Sequence, residues 1–254
     1  MTEHYRRRAP LDEILAEVDD ASIEGLAPLD QFHSGGIEAT RDLAELAKIS
    51  AGEAVLDVGS GAGGPARLLA AERGARVTGI DLTADYVELA RVLSTKAKIA
   101  AEFRQANALE LPFADAGFDV VWTQHAAMNI ADRPRLYGEI RRVLKPGGRL
   151  ALHDIFEGPK GGPLHLPVPW ADAAEESHLL TPEALRRLLA DLGFVELAWE
   201  DRTAITIAGF EATPARKPLI HLLLGEGFPA MIANMRRNYA EDRIGAAMGV
   251  FQKR

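Results

Sequence analysis

The run Val55-Leu56-Asp57-Val58-Gly59-Ser60-Gly61-Ala62-Gly63-Gly64, answered by Asp81 after a second apolar run, narrows the possible folds of this chain more than any other feature. Ala54 to Val58 is apolar and β-branched, the signature of a buried strand. It breaks into glycines, and from Pro65 to Glu72 the pattern turns helical, with Leu68 and Leu69 on the apolar side. Such a strand–loop–helix junction lets a ligand lie against bare backbone at a helix N-terminus, because glycine has no Cβ to block the approach. The next strand, Arg76 to Ile80, ends in Asp81, placed to accept hydrogen bonds from ribose hydroxyls. A ligand containing a nucleoside follows from these two strands.

Gly59, Gly61 and Gly64 satisfy G-x-G-x-x-G literally, and Asp81 stands at about the ~20-residue offset of a dinucleotide fold. Taken alone, that spacing supports an NAD-dependent oxidoreductase, which stays as a remote alternative. Three features point elsewhere. Asp57 sits two residues before Gly59, where a carboxylate repels a pyrophosphate and attracts the ammonium of an amino acid. Asn107 follows a third strand-like run, Ala101 to Gln105, within reach of an adenine edge. Arg142-Val143-Leu144-Lys145-Pro146-Gly147-Gly148-Arg149-Leu150 reads as a helix end, a Pro-Gly turn and a new strand.

In order, the segments VLDVGSGAGG, VTGIDL, ANALELPF, FDVVWTQHAAMNI and RVLKPGGRLALHD resemble the class I S-adenosylmethionine (SAM) dependent methyltransferases of the small-molecule, UbiE-like kind. The resemblance spans roughly Leu29 to Asp201. A looser similarity, through the DQFHSGG and WTQHAAMNI segments, runs to sarcosine and dimethylglycine N-methyltransferases. The resemblance implies that Asp57 and the loop of Gly59, Ser60, Gly61 and Gly63 hold the methionine part of SAM. It places Asp81 and Leu82 at the ribose, Asn107 and Ala108 at the adenine, and the 123–125 segment with Gln124 beside the transferred methyl. Many relatives carry Asp where this chain has Asn107. The expected product is S-adenosylhomocysteine (SAH), and the expected partner a small-molecule acceptor methylated on N, O or C.

The implied fold is α/β, a Rossmann-like doubly wound sheet with an N-terminal helical cap and a helical insertion before the last strand. One domain, 1–254, divides into the cap (1–50), the SAM-binding core (51–156) and an acceptor-side region (157–254). Helical patterns cover Leu11 to Val18 and Ile37 to Ile49, flanking a polar and aromatic loop from Leu29 to Gly36. The core alternates strand and helix at 54–58, 65–73, 76–80, 84–97, 101–105, 118–124, 133–144 and 149–155, which predicts a parallel sheet covered on both faces. Asp132 and Thr181 read as N-caps, the latter followed by Pro182. Residues 157–179 form a long Gly-, Pro- and Trp-containing loop. Strands are expected at Phe194 to Trp199 and Ile244 to Gln252, with helices inserted at about 213–242.

Composition sets outer limits. The chain has 254 residues, 47% of them apolar, and no cysteine, so it has no disulfide framework, thiolate nucleophile or Cys-based zinc site. No window approaches the ~18–20 apolar residues of a membrane span. Arg6-Arg7-Arg8 is followed by no apolar h-region and reads as a solvated helix start. A net charge of −8 argues against a polyanionic partner such as nucleic acid. A cytoplasmic monomer or homodimer is expected. The apolar insertion, Leu219 to Leu224 with Met231, Ile232 and Met235, is read as a helix pair packed on the sheet edge, ahead of an acceptor roof, a dimer face or a membrane-facing surface.

Ligands of open α/β sheets bind at the carboxyl ends of the strands. Gln124 and His125 end the fourth strand there; His153 and Asp154 end the fifth. His125 is the candidate general base, with Asp154 as its orienting partner and Gln124 beside the reaction. His33, Asn129, His153 and Trp170 are candidate acceptor contacts, and His33 with Phe32 a candidate lid. Trp122, inside a strand, is read as core. No metal is expected. A SAM-binding regulatory or assembly module without catalysis is the competing class.

Overall fold

The most apolar strand lies in the interior of the sheet, which explains its lack of alternation: Ala54–Val58 (β1) is covered on both faces. It pairs in parallel with Arg76–Asp81 (β2) and Phe118–Gln124 (β4). β2 pairs with Glu102–Gln105 (β3), and β4 with Leu144–Glu157 (β5). Two antiparallel partners close the far side, Ile244–Lys253 (β7) against β5 and Phe194–Asp201 (β6) against β7. The resulting order is β3-β2-β1-β4-β5-β7-β6. This computed structural model describes residues 9–212 and 219–254, without the side chains of 211 and 212. Arg6–Arg8 and part of the expected insertion lie outside the described residues.

Three helices, Leu11–Ala16 (α1), Ile23–Asp30 (α2) and Gly36–Leu46 (α3), precede β1. Crossovers Gly64–Arg73 (α4), Ala84–Ala97 (α5) and Arg133–Val143 (α6) follow β1, β2 and β4, and Pro182–Asp191 (α7) precedes β6. The expected caps form: Asp132 accepts from the Arg135 amide at 3.0 Å and Thr181 from the Ala184 amide at 3.2 Å.

Two boundaries differ from the sequence reading. The Leu29–Gly36 loop is shorter, because α2 runs through Asp30 and holds Leu29 in the core. The strand expected from Arg149 already begins at Leu144. Leu144 pairs with Phe118 and Arg149 with Val120, so the Lys145–Gly148 turn bulges from one continuous strand.

The inserted helices are Thr203–Ala212 (α8), His221–Leu224 (α9) and Phe228–Ala240 (α10). Leu222 and Leu223 of α9 pack into the cap with Ile14, Leu26, Leu29 and Tyr86. Met235 and Tyr239 of α10 pack with Met128, Ile155 and Trp170. The apolar insertion thus has internal partners, over the cap and over the carboxyl ends of β4 and β5. None of the helices among the described residues is long and apolar enough to cross a membrane.

Candidate active site

The glycine loop is pinned by its own backbone. Gly59 and Ser60 donate to the Ile80 carbonyl at 2.9 Å each, and Gly61 donates to the Asp81 carboxylate at 2.9 Å. Asp81 also accepts from the Thr83 amide at 2.8 Å. Both carboxylate oxygens keep lone pairs for ribose hydroxyls after these bonds. Burial raises the Asp81 carboxyl and the Thr83 and Gly61 amides oppose the rise. Gly59 takes φ 79°, and a Cβ there would collide with the Ala126 methyl, so the loop and the β4 terminus approach as only glycine permits. Leu82 stays 49% exposed beside Asp81, and Asn107 is exposed with its carbonyl accepting from the Leu109 amide at 2.9 Å.

Asp57 is the anomaly of this side. It is 1% exposed at the end of β1, its Oδ2 has no hydrogen-bond partner, and burial together with the Asp81 charge pushes its carboxyl up to about 8. The neighbouring Ser60 hydroxyl is likewise buried without a partner. A buried carboxylate without a partner is costly, and the missing complement is a cation or a strong donor.

On the other side of Gly59, three histidines meet. His125 follows β4 in a left-handed conformation, φ 47°, and donates its amide to the His153 carbonyl at 2.8 Å. The His125 and His153 ring centroids are 4.8 Å apart. His33, on the loop after α2, lies 6.0 Å from His125 and 5.9 Å from His153. Its Nε2 lies 2.8 Å from Gln31 Oε1 and 3.0 Å from Thr40 Oγ1. Thr40 donates to Gln31 at 2.8 Å and reaches Gln124 Oε1 at 3.3 Å. Gln124 Oε1 accepts from Trp122 Nε1 at 3.0 Å, which turns its Nε2 toward His153 Nδ1 at 3.5 Å. Nε2 of His125 and Nε2 of His153 have no partners. Burial lowers all three imidazoles, His33 to about 4, and mutual repulsion lowers His125 and His153 further, so the cluster is neutral at pH 7. Among the described residues no group of His, Asp or Glu is placed to hold a metal ion.

The expected pairing of His125 with Asp154 does not form. Successive strand residues face opposite sides of a sheet, so His153 joins the cluster and Asp154 turns away from it. Asp154 lies 3.9 Å from Arg133 of α6 and accepts from the Ile155 amide at 3.0 Å. Burial raises its carboxyl to about 6 while Arg133 opposes the rise. Asn129 donates to the Trp170 carbonyl at 2.6 Å, and Trp170 is buried, donating through Nε1 to Ser177 at 2.9 Å. Both therefore brace the 164–179 loop. Trp122 is core, as read.

Gln31, Thr40, Arg133 and Tyr239 were not singled out from sequence. Gln31 and Thr40 reach the cluster through the fold of the cap, and Tyr239 through α10; no spacing pattern marks them. Phe32 lies against Gly61 and 6.1 Å from Tyr86, so this loop covers the glycine loop as well.

Residues 56–152 match a family model described as a methyltransferase domain. That stretch of the chain is therefore similar to methyltransferase domains. Methyltransferase GfsG of Streptomyces halstedii is 40% identical over 139 residues, 54% of this chain and 48% of that one. Phosphoethanolamine N-methyltransferase 3 of Arabidopsis thaliana is 30% identical over 170 residues, 67% of this chain and 34% of that one. The chain thus spans about half the length of the first relative and a third of the second. The solved structure of Haemonchus contortus phosphoethanolamine N-methyltransferase 2, in complex with phosphomonomethylethanolamine and S-adenosylhomocysteine, superposes with a TM-score of 0.73. It does so at 20% identity over 96% of this chain and 61% of that one, a likeness of fold.

Proposed function

We propose that the protein transfers a methyl group from SAM to a small-molecule acceptor. The observation that carries this reading is Asp57, a buried carboxylate lacking a partner at the lip of a glycine loop. An amino-acid ammonium supplies what it lacks; a pyrophosphate, anionic itself, would worsen its electrostatics. Asp57 and the loop of Gly59, Ser60, Gly61 and Gly63 hold the methionine portion, Asp81 and Leu82 the ribose, and Asn107 with Ala108 the adenine.

SAM, when bound, supplies an electrophilic methyl on a sulfonium. The chain's own work is alignment and exclusion of water, since an in-line displacement needs little covalent help. His33 and Phe32 close over the loop, and Gln124 is locked by Trp122 and Thr40 beside His153. Where the acceptor loses a proton, His125 Nε2 takes it. Its neutral imidazole, unpartnered at that atom, is in the basic form at pH 7. Asp154 acts through charge balance with Arg133 rather than by orienting His125. With its net charge of −8, the protein is read as acting on a metabolite in the cytoplasm rather than on nucleic acid.

Calorimetric titration with SAH, with NAD in parallel, tests the reading. SAH binding that is lost in Asp57→Asn and weakened in Asp81→Ala supports it. Binding of NAD in place of SAH would overturn it.

A further inference from the structure

The relatives methylate, by their names, chemically different molecules, and the charge balance around the histidine cluster separates the classes. This inference rests on the methyltransferase reading above. Arg133, Arg202 and Arg67, set around the strand termini and the glycine loop, each pair with a carboxylate. Arg133 faces Asp154 at 3.9 Å and donates to the His178 carbonyl at 2.9 Å. Arg202, behind His153, pairs with Asp42 and with Glu200. Arg67 pairs with Asp30 at 2.5 Å. Among the described residues, none of these cations is left over to neutralise a phosphate, a diphosphate or a carboxylate brought in by an acceptor. Burying such an anion without a partner costs several kcal/mol, on the order of the penalty for any unpaired buried ion.

What the cluster offers is neutral. His125 and His153 present two unpartnered Nε2 atoms, and a neutral imidazole either donates or accepts at a given nitrogen. Tyr239 is kept protonated by burial, beside Ser34 and Thr206. The packing around it is apolar: Met128, Ile155, Met235 and Trp170 form one buried cluster. Two neutral imidazoles beside an apolar wall suit one functional group in particular, an uncharged hydroxyl that needs a donor and an acceptor and loses a proton on methylation.

We propose that the acceptor is a neutral, hydroxyl-bearing molecule with an apolar body, methylated on oxygen, and that anionic and zwitterionic acceptors are excluded. In the transfer, the O–CH3 bond forms as the S–CH3 bond breaks, SAH leaves as a neutral thioether, and the hydroxyl proton passes to His125 Nε2. The positive charge lost from the sulfonium reappears on the imidazolium, so total charge is unchanged.

The test uses a matched pair of probes, 2-naphthol and 2-naphthyl phosphate, titrated into the full chain saturated with SAH and followed by ligand-observed NMR. The expected result is saturable binding of 2-naphthol at least tenfold tighter than that of the phosphate. Asp154→Asn, which leaves Arg133 without its counter-charge, should move the ratio tenfold or more toward the phosphate, with SAH affinity unchanged. Phosphate binding equal to or tighter than naphthol binding in the unaltered protein overturns the proposal, and so does the absence of saturable naphthol binding. If Asp154→Asn does not fold, the ratio in the unaltered protein decides alone. Failure of SAH itself to bind is a separate outcome, and it removes the methyltransferase reading first.

Discussion

In the proposed function, Asp57 stores its ligand site as a deficit. Its carboxyl, ordinarily near 3.8, is held at about 8, so over the pH range between those values the folded protein keeps a proton that the unfolded chain loses. Stability therefore falls as pH rises through that window. Asp57→Asn removes the slope and raises the melting temperature of the ligand-free protein at pH 8, while SAH affinity drops. Removing one partner of a buried charge pair costs about 2–5 kcal/mol, roughly 30- to several-thousand-fold in affinity. Calorimetry at pH 7 in two buffers of different ionisation enthalpy should report close to one proton released per SAH bound, since the ammonium displaces it from Asp57. At His125 the expectation runs the other way: His125→Gln leaves the SAH dissociation constant unchanged and lowers the rate of SAH formation with a hydroxyl acceptor by about 10²–10⁴-fold.

Arg67 of α4 and Asp30 of α2 hold the cap to the core. Arg67 is fully buried, with further bonds to the carbonyls of Ala62 and Ala90 and to the Ser94 hydroxyl. Breaking such a pair on one side strands a buried charge. Arg67→Met should cost about 3–5 kcal/mol in urea unfolding, with part of the loss recovered by adding Asp30→Asn. By contrast Thr181→Ala, which removes only the cap of α7, should cost about 1 kcal/mol and leave SAH binding untouched. Elements of this kind were readable because their signals are local. α5 runs Ala84–Ala97 and β4 Phe118–Gln124, as periodicity and turn residues indicate. The start of β5 was not readable. Pro146 and Gly147 signal a turn, and only the pairing of Leu144 with Phe118 shows that the strand begins before it.

Across the molecule, the cap, the glycine loop and the strand termini close on one another, so ligand binding should be felt as global stability. SAH at a hundred times its dissociation constant contributes about 2.7 kcal/mol. For a chain of this size that corresponds to a rise of roughly 5–11 °C in melting temperature, measurable by differential scanning fluorimetry. NAD at equal concentration should leave the melting temperature where it was.

What the sequence determined by itself was whatever depends on neighbours along the chain: the strand–glycine–helix junction, Asp57 and Asp81 at strand ends, the caps of α6 and α7, and the order of elements. These follow from two-residue and 3.6-residue periodicities and from glycine's freedom at Gly59. The tertiary structure decided which distant groups meet. His33, His125 and His153 come together only because Gln124 pairs with His153 across the sheet and the cap folds over both. The same alternation that delivers His153 to the cluster sends Asp154 to Arg133. The neutrality of the site is likewise a tertiary property, since charge is compensated, and imidazoles are desolvated, only by side chains that the chain brings in from elsewhere.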